Sequence, residues 1–192
     1  MLTVGLIGAG RIGRVHASTI VQDEGSQLVA VADSVDENAK NLAKLYKVNP
    51  RSVDAIFEDN SIEAILIASS TDTHSDFIEK ASKAGKAILC EKPVDLSLAR
   101  AKRCLENTKS NEHLIMMGFN RRFDPNFVAL KNALDGGEIG TAELLSITSF
   151  DPAPPPIDYV KVSGGIFKDM MIHDFDMANF LYGELPKSVF VS

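Results

Sequence analysis

Three glycines near the amino terminus constrain the fold of this chain more than any other feature. They lie in Gly8-Ala9-Gly10-Arg11-Ile12-Gly13, directly after the apolar run Thr3–Ile7 and at the start of an amphipathic stretch. This order predicts a strand, a tight turn and a helix. Gly8 would permit the turn, Gly10 a close backbone approach by a ligand, and Gly13 close packing of helix on strand. The helix amino terminus would then offer free N–H groups to a pyrophosphate.

Residues 2–118 alternate short aliphatic runs with amphipathic stretches, which is typical of a parallel sheet with helical crossovers. Several runs lack polar alternation, as strands covered on both faces do. The predicted strands are Thr3–Ile7, Leu28–Ala32, Ala55–Phe57, Ala64–Ala68, Ala87–Leu89 and Leu114–Met117. The predicted helices are Ile12–Val21, Asp36–Tyr46, His74–Ala84 and Leu98–Thr108. We therefore expect a doubly wound α/β domain.

The pattern changes after Gly118. It predicts a helix over Asn126–Leu134, a strand over Glu143–Phe150, an extended loop over Asp151–Pro156 and a last strand over Ser188–Val191. Two strands in roughly 70 residues are too few to close a separate core. We expect an incomplete second domain, which either continues in a longer natural protein or needs a partner.

Composition limits the classes of function. The chain is 45% apolar and 24% charged, which is typical of a soluble globular protein. Its net charge of −6 argues against nucleic acid or an anionic membrane as the main partner. The run Leu2–Ile7 is too short for a signal-peptide core, and no run approaches a membrane span. Cys90 and Cys104 lack metal-ligand or redox spacing, so we expect core or strand-end thiols in a reducing cytoplasm and no metal site.

Asp33 ends the second predicted strand, twenty residues after Gly13. An acid there can accept hydrogen bonds from both hydroxyls of an adenosine ribose, and its charge repels a 2′-phosphate, which favours NAD over NADP. The alternative is a capping or turn acid before Ser34. Arg11 is either a phosphate contact or a solvated side chain, and we interpret His16 as a packed or capping histidine.

Two later strand ends should also face the cofactor, because ligands of open α/β sheets lie beyond the carboxyl ends of the strands. Ser69-Ser70-Thr71-Asp72-Thr73-His74 offers small hydroxyl residues that let a nicotinamide ribose approach, although Thr73 alone is at least as typical of a helix N-cap. In Glu91-Lys92-Pro93 the lysine should point into the same crevice. Pro93 would fix the backbone that directs it, and a cis peptide bond is one way to do so. Otherwise Lys92 is a surface lysine. The expected cofactor contacts are Gly8, Gly10, Arg11, Ile12, Gly13, Asp33, Ser70, Thr71, His74, Glu91 and Lys92.

The segment Gly164–Met177 predicts a mostly apolar, buried helix that carries polar residues at regular spacing. Asp169, His173 and Asp176 fall at i, i+4 and i+7, which places an imidazole and two carboxylates on one helix face. Buried charges are costly unless they are paired, and substrate hydroxyls are one such partner. The spacing leaves two interpretations open, an acid–base site and a structural polar network.

Together these landmarks resemble the Gfo/Idh/MocA family of NAD(P)-dependent oxidoreductases. The match rests on the glycine motif, Glu91-Lys92-Pro93, Gly118-Phe119-Asn120-Arg121-Arg122-Phe123-Asp124, and Gly164-Gly165 followed by Asp169 and His173. Within the family, Pro154–Tyr159 and His173–Met177 look most like the inositol dehydrogenases. The resemblance implies an NAD-binding Rossmann domain over residues 1–119. It also implies part of an α+β substrate-binding and oligomerisation domain, with a mainly antiparallel open sheet, over residues 120–192.

The resemblance further implies NAD-dependent oxidation of a ring secondary hydroxyl of a cyclitol, myo-inositol to 2-keto-inositol. It makes Lys92 a substrate-contacting lysine, His173 the acid–base group, Asp169 its assistant and Asp176 a ligand of a substrate hydroxyl. The expected protein is a cytoplasmic homo-oligomer, a dimer or tetramer when full-length, that acts on a small polyol or sugar. Alternatives are a dehydrogenase of another sugar or inositol isomer, an inactive dinucleotide-binding paralogue and an inactive fragment.

Overall fold

The computed structural model describes residues 1–110, 113–151 and 153–191. Contacts divide the chain into two compact units, Met1–Gly118 and Phe119–Ser192. The first unit is an α/β domain, as predicted. Its strands are β1 Leu2–Ile7, β2 Ser26–Ala32, β3 Asn49–Pro50, β4 Ala64–Ile67, β5 Ala87–Cys90 and β6 Ile115–Met117. Its helices are α1 Arg11–Gln22, α2 Asp36–Tyr46, α3 Val53–Glu58, α4 Thr71–Lys83 and α5 Leu98–Thr108.

The six strands form one sheet in the order β3-β2-β1-β4-β5-β6, and every pair is parallel. The chain moves outward from β1 to β3 and then crosses back to β4, so the direction of winding reverses between β1 and β4. A ligand crevice of an open α/β sheet lies at such a reversal, beyond the carboxyl ends of the strands. The glycine turn, residues 8–13, directly follows β1 at this point.

The core covers both faces of the sheet. Successive strand residues point to opposite faces, so Leu6 of β1 packs in a cluster with residues of α1 and α2, whereas Ile7 packs in a second cluster with residues of α3, α4 and α5. All four residues of β4 are buried. This double burial explains the lack of polar alternation in the sequence of β4.

The predicted strand at Ala55–Phe57 is wrong, because these residues belong to α3. The Ser52 side chain accepts a hydrogen bond from the Ala55 N–H at 3.2 Å and so caps a helix. Ile56 and Phe57 of this helix are both buried. A three-residue apolar run is too short to distinguish the period of a helix from that of a strand. The missed strand is the short edge strand β3, whose proline is tolerated because an edge needs fewer ladder hydrogen bonds.

The second unit is helical in its described part. It contains a 3₁₀ turn at Asn120–Phe123, followed by α6 Pro125–Asp135, α7 Ile157–Val160, α8 Gly165–Asp169 and α9 Ile172–Tyr182. Helix α6 was expected, and Asp124 caps it by accepting from the Asn126 N–H at 2.9 Å.

The strands predicted at Glu143–Phe150 and Ser188–Val191 are not formed, and neither is an antiparallel sheet, in the described residues of this unit. A strand needs a neighbour to complete its backbone hydrogen bonds, and neither segment has a ladder partner there. Residues 154–156 have no regular structure, as the loop prediction requires, while Pro152 of that predicted loop lies outside the described residues.

The single helix predicted over Gly164–Met177 is also wrong. Helix α8 ends at Asp169, and α9 begins at Ile172. At the break the Ile166 carbonyl accepts from the N–H groups of both Met170 and Met171, at 3.0 and 2.9 Å. Asp169 and His173 therefore lie on different helices, whereas His173 and Asp176 share α9. The burial predicted for this segment is found only in part, since Met177 is buried but Phe175 is exposed.

Both cysteines are unpaired thiols buried in the first unit, as predicted for core residues. Burial raises the pKa of the Cys90 thiol and that of the Cys104 thiol. None of the helices in the described ranges has the length and apolarity that a membrane crossing requires.

Substituting Gly13 by alanine should destabilise the first unit, because a Cβ there would overlap the Gly8 carbonyl oxygen. We expect the free energy of unfolding, measured by urea denaturation, to fall by about 1–3 kcal/mol. The matched control is Gly10→Ala, since a Cβ at Gly10 meets no heavy atom within 4 Å. Equal losses in the two variants would contradict the packing role of Gly13.

Candidate functional site

The glycine turn is tied to the end of β2 through Asp33. The Ala9 N–H donates to Asp33 Oδ2 at 2.6 Å, and the Val35 N–H donates to Oδ1 at 2.8 Å. The Gly8 N–H also donates to the Ala32 carbonyl, at 2.8 Å. Asp33 is thus a turn acid, as the alternative interpretation holds. Each carboxylate oxygen still keeps a lone pair that can accept from a ribose hydroxyl.

The turn leaves room for a phosphate group. Gly8 has a φ of +104°, and a Cβ there would overlap the Ala68 carbonyl, so only glycine fits. Gly10 is exposed and caps α1 without a side-chain hydrogen bond. The first N–H groups of α1 can therefore donate to an anion, with the exposed Arg11 beside them. These residues fit the pyrophosphate of a dinucleotide, while Ile12 packs partly against the core.

The end of β4 leads directly into the first turn of α4. Ser70 is the N-cap residue and Thr71 the first helical residue. Thr73 does not cap the helix. Its hydroxyl donates to the Ser70 carbonyl at 2.7 Å and lies 2.7 Å from the hydroxyl of Ser69. Ser70 is exposed and Thr71 half-buried, so these two residues remain candidates for contact with a ligand.

His74 is enclosed by the protein backbone. Its side chain is buried, 1% exposed, and both ring nitrogens face backbone carbonyls. Nδ1 lies 2.7 Å from the Pro93 carbonyl oxygen and Nε2 lies 3.1 Å from that of Ser69. The structure therefore does not support the predicted direct contact between His74 and the cofactor, because the protein backbone already surrounds the ring.

Glu91 links three elements at the carboxyl end of β5. His16 Nε2 of α1 donates to Glu91 Oε1 at 2.7 Å, so His16 is more than a packed or capping residue. A Cβ at Gly118, after β6, would lie 3.1 Å from Glu91 Cδ, so the glycine leaves room for the carboxylate. Burial acts to raise the pKa of Glu91, but the His16 hydrogen bond and charge, with smaller contributions from Lys92, lower it overall.

Lys92 follows Glu91 and is half-buried, whereas Pro93 is buried. The peptide bond between Lys92 and Pro93 is cis. Lys92 belongs to the first unit, and the other two predicted catalytic residues, Asp169 and His173, belong to the second.

In the second unit, Asp169 and His173 each have an aromatic neighbour. The Tyr159 hydroxyl donates to Asp169 Oδ1 at 2.7 Å. The His173 ring meets the Phe119 ring edge to face, with centroids 6.3 Å apart at 85°. Both polar residues are half-buried. The sequence pattern does not reveal the Tyr159 contact, because Tyr159 lies in a different helix, α7.

Two neighbouring arginines of the 3₁₀ turn bind two aspartates of α9. Arg122 is bidentate on Asp176, with Nε to Oδ2 at 2.8 Å and Nη2 to Oδ1 at 2.6 Å, and these hydrogen bonds raise the pKa of Arg122. Arg121 pairs with Asp174, which also accepts from the Ser149 hydroxyl at 2.7 Å. These two ion pairs flank Phe175 and fix the first turns of α9, which carry His173.

Asp176 is therefore bound by a guanidinium and is not directed at a ligand alone. Its side chain is only 10% exposed. Arg121 and Arg122 lie in one of the segments that carry the family resemblance, but the sequence pattern gives them no role. Charge complementarity is the sequence signal that could have predicted these ion pairs, since two adjacent arginines precede a segment with two aspartates in the same unit.

The Glu91 pKa predicts a specific loss of stability in acid. A folded-state pKa below the ordinary value of 4.5 means that ionised Glu91 stabilises the fold above that pH. This contribution is lost as the pH falls through the folded-state pKa. We expect Glu91→Gln to lose less unfolding free energy than the wild type between about pH 6 and about pH 3.5, measured by urea denaturation. Exposed Glu24→Gln should behave like the wild type, and a Glu91→Gln curve parallel to it would contradict the assignment.

No group of three or more His, Cys, Asp or Glu side chains that could hold a metal ion occurs in the described ranges. The polar residues at the carboxyl edge of the sheet instead match a nucleotide site, since they surround a glycine turn and a free helix amino terminus.

Comparisons with known proteins agree with this geometry. Residues 2–119 match the profile of the Gfo/Idh/MocA oxidoreductase family, NAD-binding Rossmann fold, and residues 127–192 match a C-terminal domain of the same family. Inositol 2-dehydrogenase of Rhizobium meliloti (strain 1021) is 52% identical over 185 residues, which are 96% of this chain and 56% of that protein. The chain thus spans little more than half the length of this relative.

Solved structures show the same relationship. A crystal structure from Sinorhizobium meliloti 1021 matches 97% of this chain and 56% of its own, with a TM-score of 0.94 and 50% identity. Scyllo-inositol dehydrogenase of Lactobacillus casei, with bound NAD(H) and scyllo-inositol, matches 95% of this chain and 56% of its own, with a TM-score of 0.83 and 30% identity. The glycine turn, its helix and the two matched domains together show that this chain belongs to the Gfo/Idh/MocA oxidoreductase family.

Proposed function

We propose that this protein is an NAD-dependent dehydrogenase that oxidises a ring secondary hydroxyl of a cyclitol, myo-inositol to 2-keto-inositol. The observation that carries the proposal is 52% identity to an inositol 2-dehydrogenase along 96% of the chain, on a fold whose glycine turn and Asp33 fit a dinucleotide. Because the chain spans 56% of that relative, the activity is proposed for the protein together with the part that completes the relative's length.

The two domains would have different roles. Residues 1–119 would bind NAD, and residues 120–192 would form part of the substrate-binding and oligomerisation domain. We propose a cytoplasmic homo-oligomer, a dimer or tetramer. The two buried free thiols are consistent with a reducing compartment.

Asp33 would select the cofactor. NAD, when bound, supplies the nicotinamide carbon that accepts a hydride. The carboxylate already holds the glycine turn through Ala9, and its remaining lone pairs would accept from the hydroxyls of the adenosine ribose. Its negative charge would repel a 2′-phosphate, which favours NAD over NADP. The first turn of α1, with Arg11, would stabilise the pyrophosphate charge.

His173 would remove the hydroxyl proton of the substrate. A free alcohol is a poor hydride donor, and a base lowers the barrier by letting alkoxide character develop as the C–H bond breaks. Asp169 would assist His173, and the Tyr159 hydroxyl orients this carboxylate at 2.7 Å. Lys92 would hold positive charge near the developing oxyanion.

Asp176 would accept a hydrogen bond from a second hydroxyl of the substrate. A carboxylate offers about four lone-pair sites, so the bidentate Arg122 leaves two of them for another donor. The guanidinium also fixes the carboxylate in one orientation. A substrate that lacks the hydroxyl would leave an acceptor site of this largely buried carboxylate unfilled, which favours substrates that carry it.

A second candidate is the dehydrogenation of another inositol isomer. It is favoured by the match to a scyllo-inositol dehydrogenase that holds scyllo-inositol, although the identity is 30% against 52% for the inositol 2-dehydrogenase. Initial rates of NADH formation with myo-inositol and scyllo-inositol would rank the two. Absence of NADH formation with either polyol, in protein that binds NAD, would favour an inactive fragment or paralogue.

Replacing His173 by alanine should abolish most turnover. We expect the rate of NADH formation from myo-inositol, followed by absorbance, to fall by about 10²–10⁴-fold, because proton removal loses its base. The Kd for NAD should change little. The matched control is His113→Ala, an exposed histidine of the first unit, which should keep wild-type turnover. Full activity of His173→Ala, or equal losses of turnover and NAD affinity, would overturn the acid–base role.

Replacing Asp33 by alanine should narrow the preference for NAD over NADP, because the repulsion of the 2′-phosphate disappears. The measurement is the ratio of the two dissociation constants by calorimetry, which we expect to shift by about tenfold toward NADP. Asp36→Ala serves as the control, since Asp36 is an exposed acid at the start of α2. An unchanged ratio in Asp33→Ala would mean that Asp33 serves only the turn.

A further inference from the structure

His74 connects the ends of two neighbouring strands. It lies in α4, is 1% exposed, and places its ring between two backbone carbonyls. Nδ1 lies 2.7 Å from the Pro93 oxygen and Nε2 lies 3.1 Å from the Ser69 oxygen. Ser69 follows β4 and Pro93 follows β5, and these strands are paired in the sheet. One side chain thus links the two loops that leave these strands.

Both partners of the His74 ring are carbonyl oxygens, so the ring has to supply the hydrogen-bond donor. Carbonyl oxygens only accept hydrogen bonds, and both ring nitrogens of an imidazole can carry the N–H that donates to them. Losing the ring would leave buried carbonyls unpaired.

The two linked loops carry the residues predicted to lie nearest the nicotinamide. Ser70 and Thr71 directly follow Ser69, and Lys92 directly precedes Pro93. The strand order β2-β1-β4-β5 places Asp33, at the end of β2, on the opposite side of the glycine turn. The β2 side would therefore hold the adenosine half of the dinucleotide, and the β4–β5 side its nicotinamide half.

We propose that His74 is a positioning residue that sets the affinity for the nicotinamide half of NAD by hydrogen bonding to the Ser69 and Pro93 carbonyls. This inference rests on the proposed function, because it requires NAD as the ligand. The His74 ring lies against backbone carbonyls and is 1% exposed, so its effect would pass through the loops that carry Ser70 and Lys92.

The test compares two ligands, NAD and ADP-ribose, which lacks the nicotinamide. In His74→Ala we expect the Kd for NAD, measured by calorimetry, to rise about tenfold, as the loss of one or two hydrogen bonds of ordinary strength implies. The Kd for ADP-ribose should stay within about threefold, because the adenosine half does not depend on these loops. A purely structural role of His74 would weaken the binding of both ligands together.

Two further variants sharpen the result. His74→Gln keeps an amide N–H donor for one carbonyl, so it should recover part of the NAD affinity, and it replaces His74→Ala if that variant does not fold. The matched control is Ser75→Ala. Its hydroxyl lies 2.6 Å from Asp95 Oδ2 and 3.1 Å from the Val94 carbonyl, so it contacts the same loop but neither carbonyl bound by His74. Ser75→Ala should bind NAD within about threefold of the wild type.

The outcomes separate the two claims. If the wild type binds NAD and ADP-ribose but His74→Ala and His74→Gln weaken neither ligand, or weaken both equally, the positioning role is overturned and the proposed function survives. If Ser75→Ala weakens NAD binding as much as His74→Ala, the specific role of His74 is overturned. If the wild type binds neither ligand, both the proposed function and this inference fail.

Discussion

The backbone contact between the glycine turn and the neighbouring strand end is the constraint on which the first unit depends. A Cβ at Gly8 would overlap the Ala68 carbonyl, and one at Gly13 would overlap the Gly8 carbonyl. Because both positions lack a side chain, α1 begins directly over the sheet where the winding reverses. Its amino terminus therefore presents its N–H groups at the crevice, where they would stabilise the charge of a dinucleotide.

Polar side chains then tie the loops along this edge to one another. Asp33 binds the glycine turn to the end of β2, and His16 binds α1 to Glu91 at the end of β5. His74 binds the loop after β4 to the loop after β5. None of these links joins residues adjacent in sequence, so each one holds together two separate elements at this edge of the sheet. A preorganised edge loses less conformational entropy when a ligand binds.

The second unit uses charge pairs for a related purpose. Arg121 and Arg122, side by side in the 3₁₀ turn, bind Asp174 and Asp176 of α9 and so hold the first turns of the helix that carries His173. The polar network and the acid–base interpretations of this segment are therefore compatible. Asp174 and Asp176 belong to the network, while Asp169 and His173 have aromatic neighbours and retain their proposed chemical roles.

The sequence by itself determined the βαβ order, five of the six strands, the boundaries of α2 and α5, and the family, because long apolar and amphipathic periods and glycine spacing are local signals. Only the tertiary structure decided that Ala55–Phe57 is helical, that the helix at Gly164–Met177 breaks after Asp169, and that His74 is enclosed. Which carbonyl or guanidinium faces a polar side chain depends on partners distant in sequence. That pairing is set by packing, and local periodicity carries no information about it.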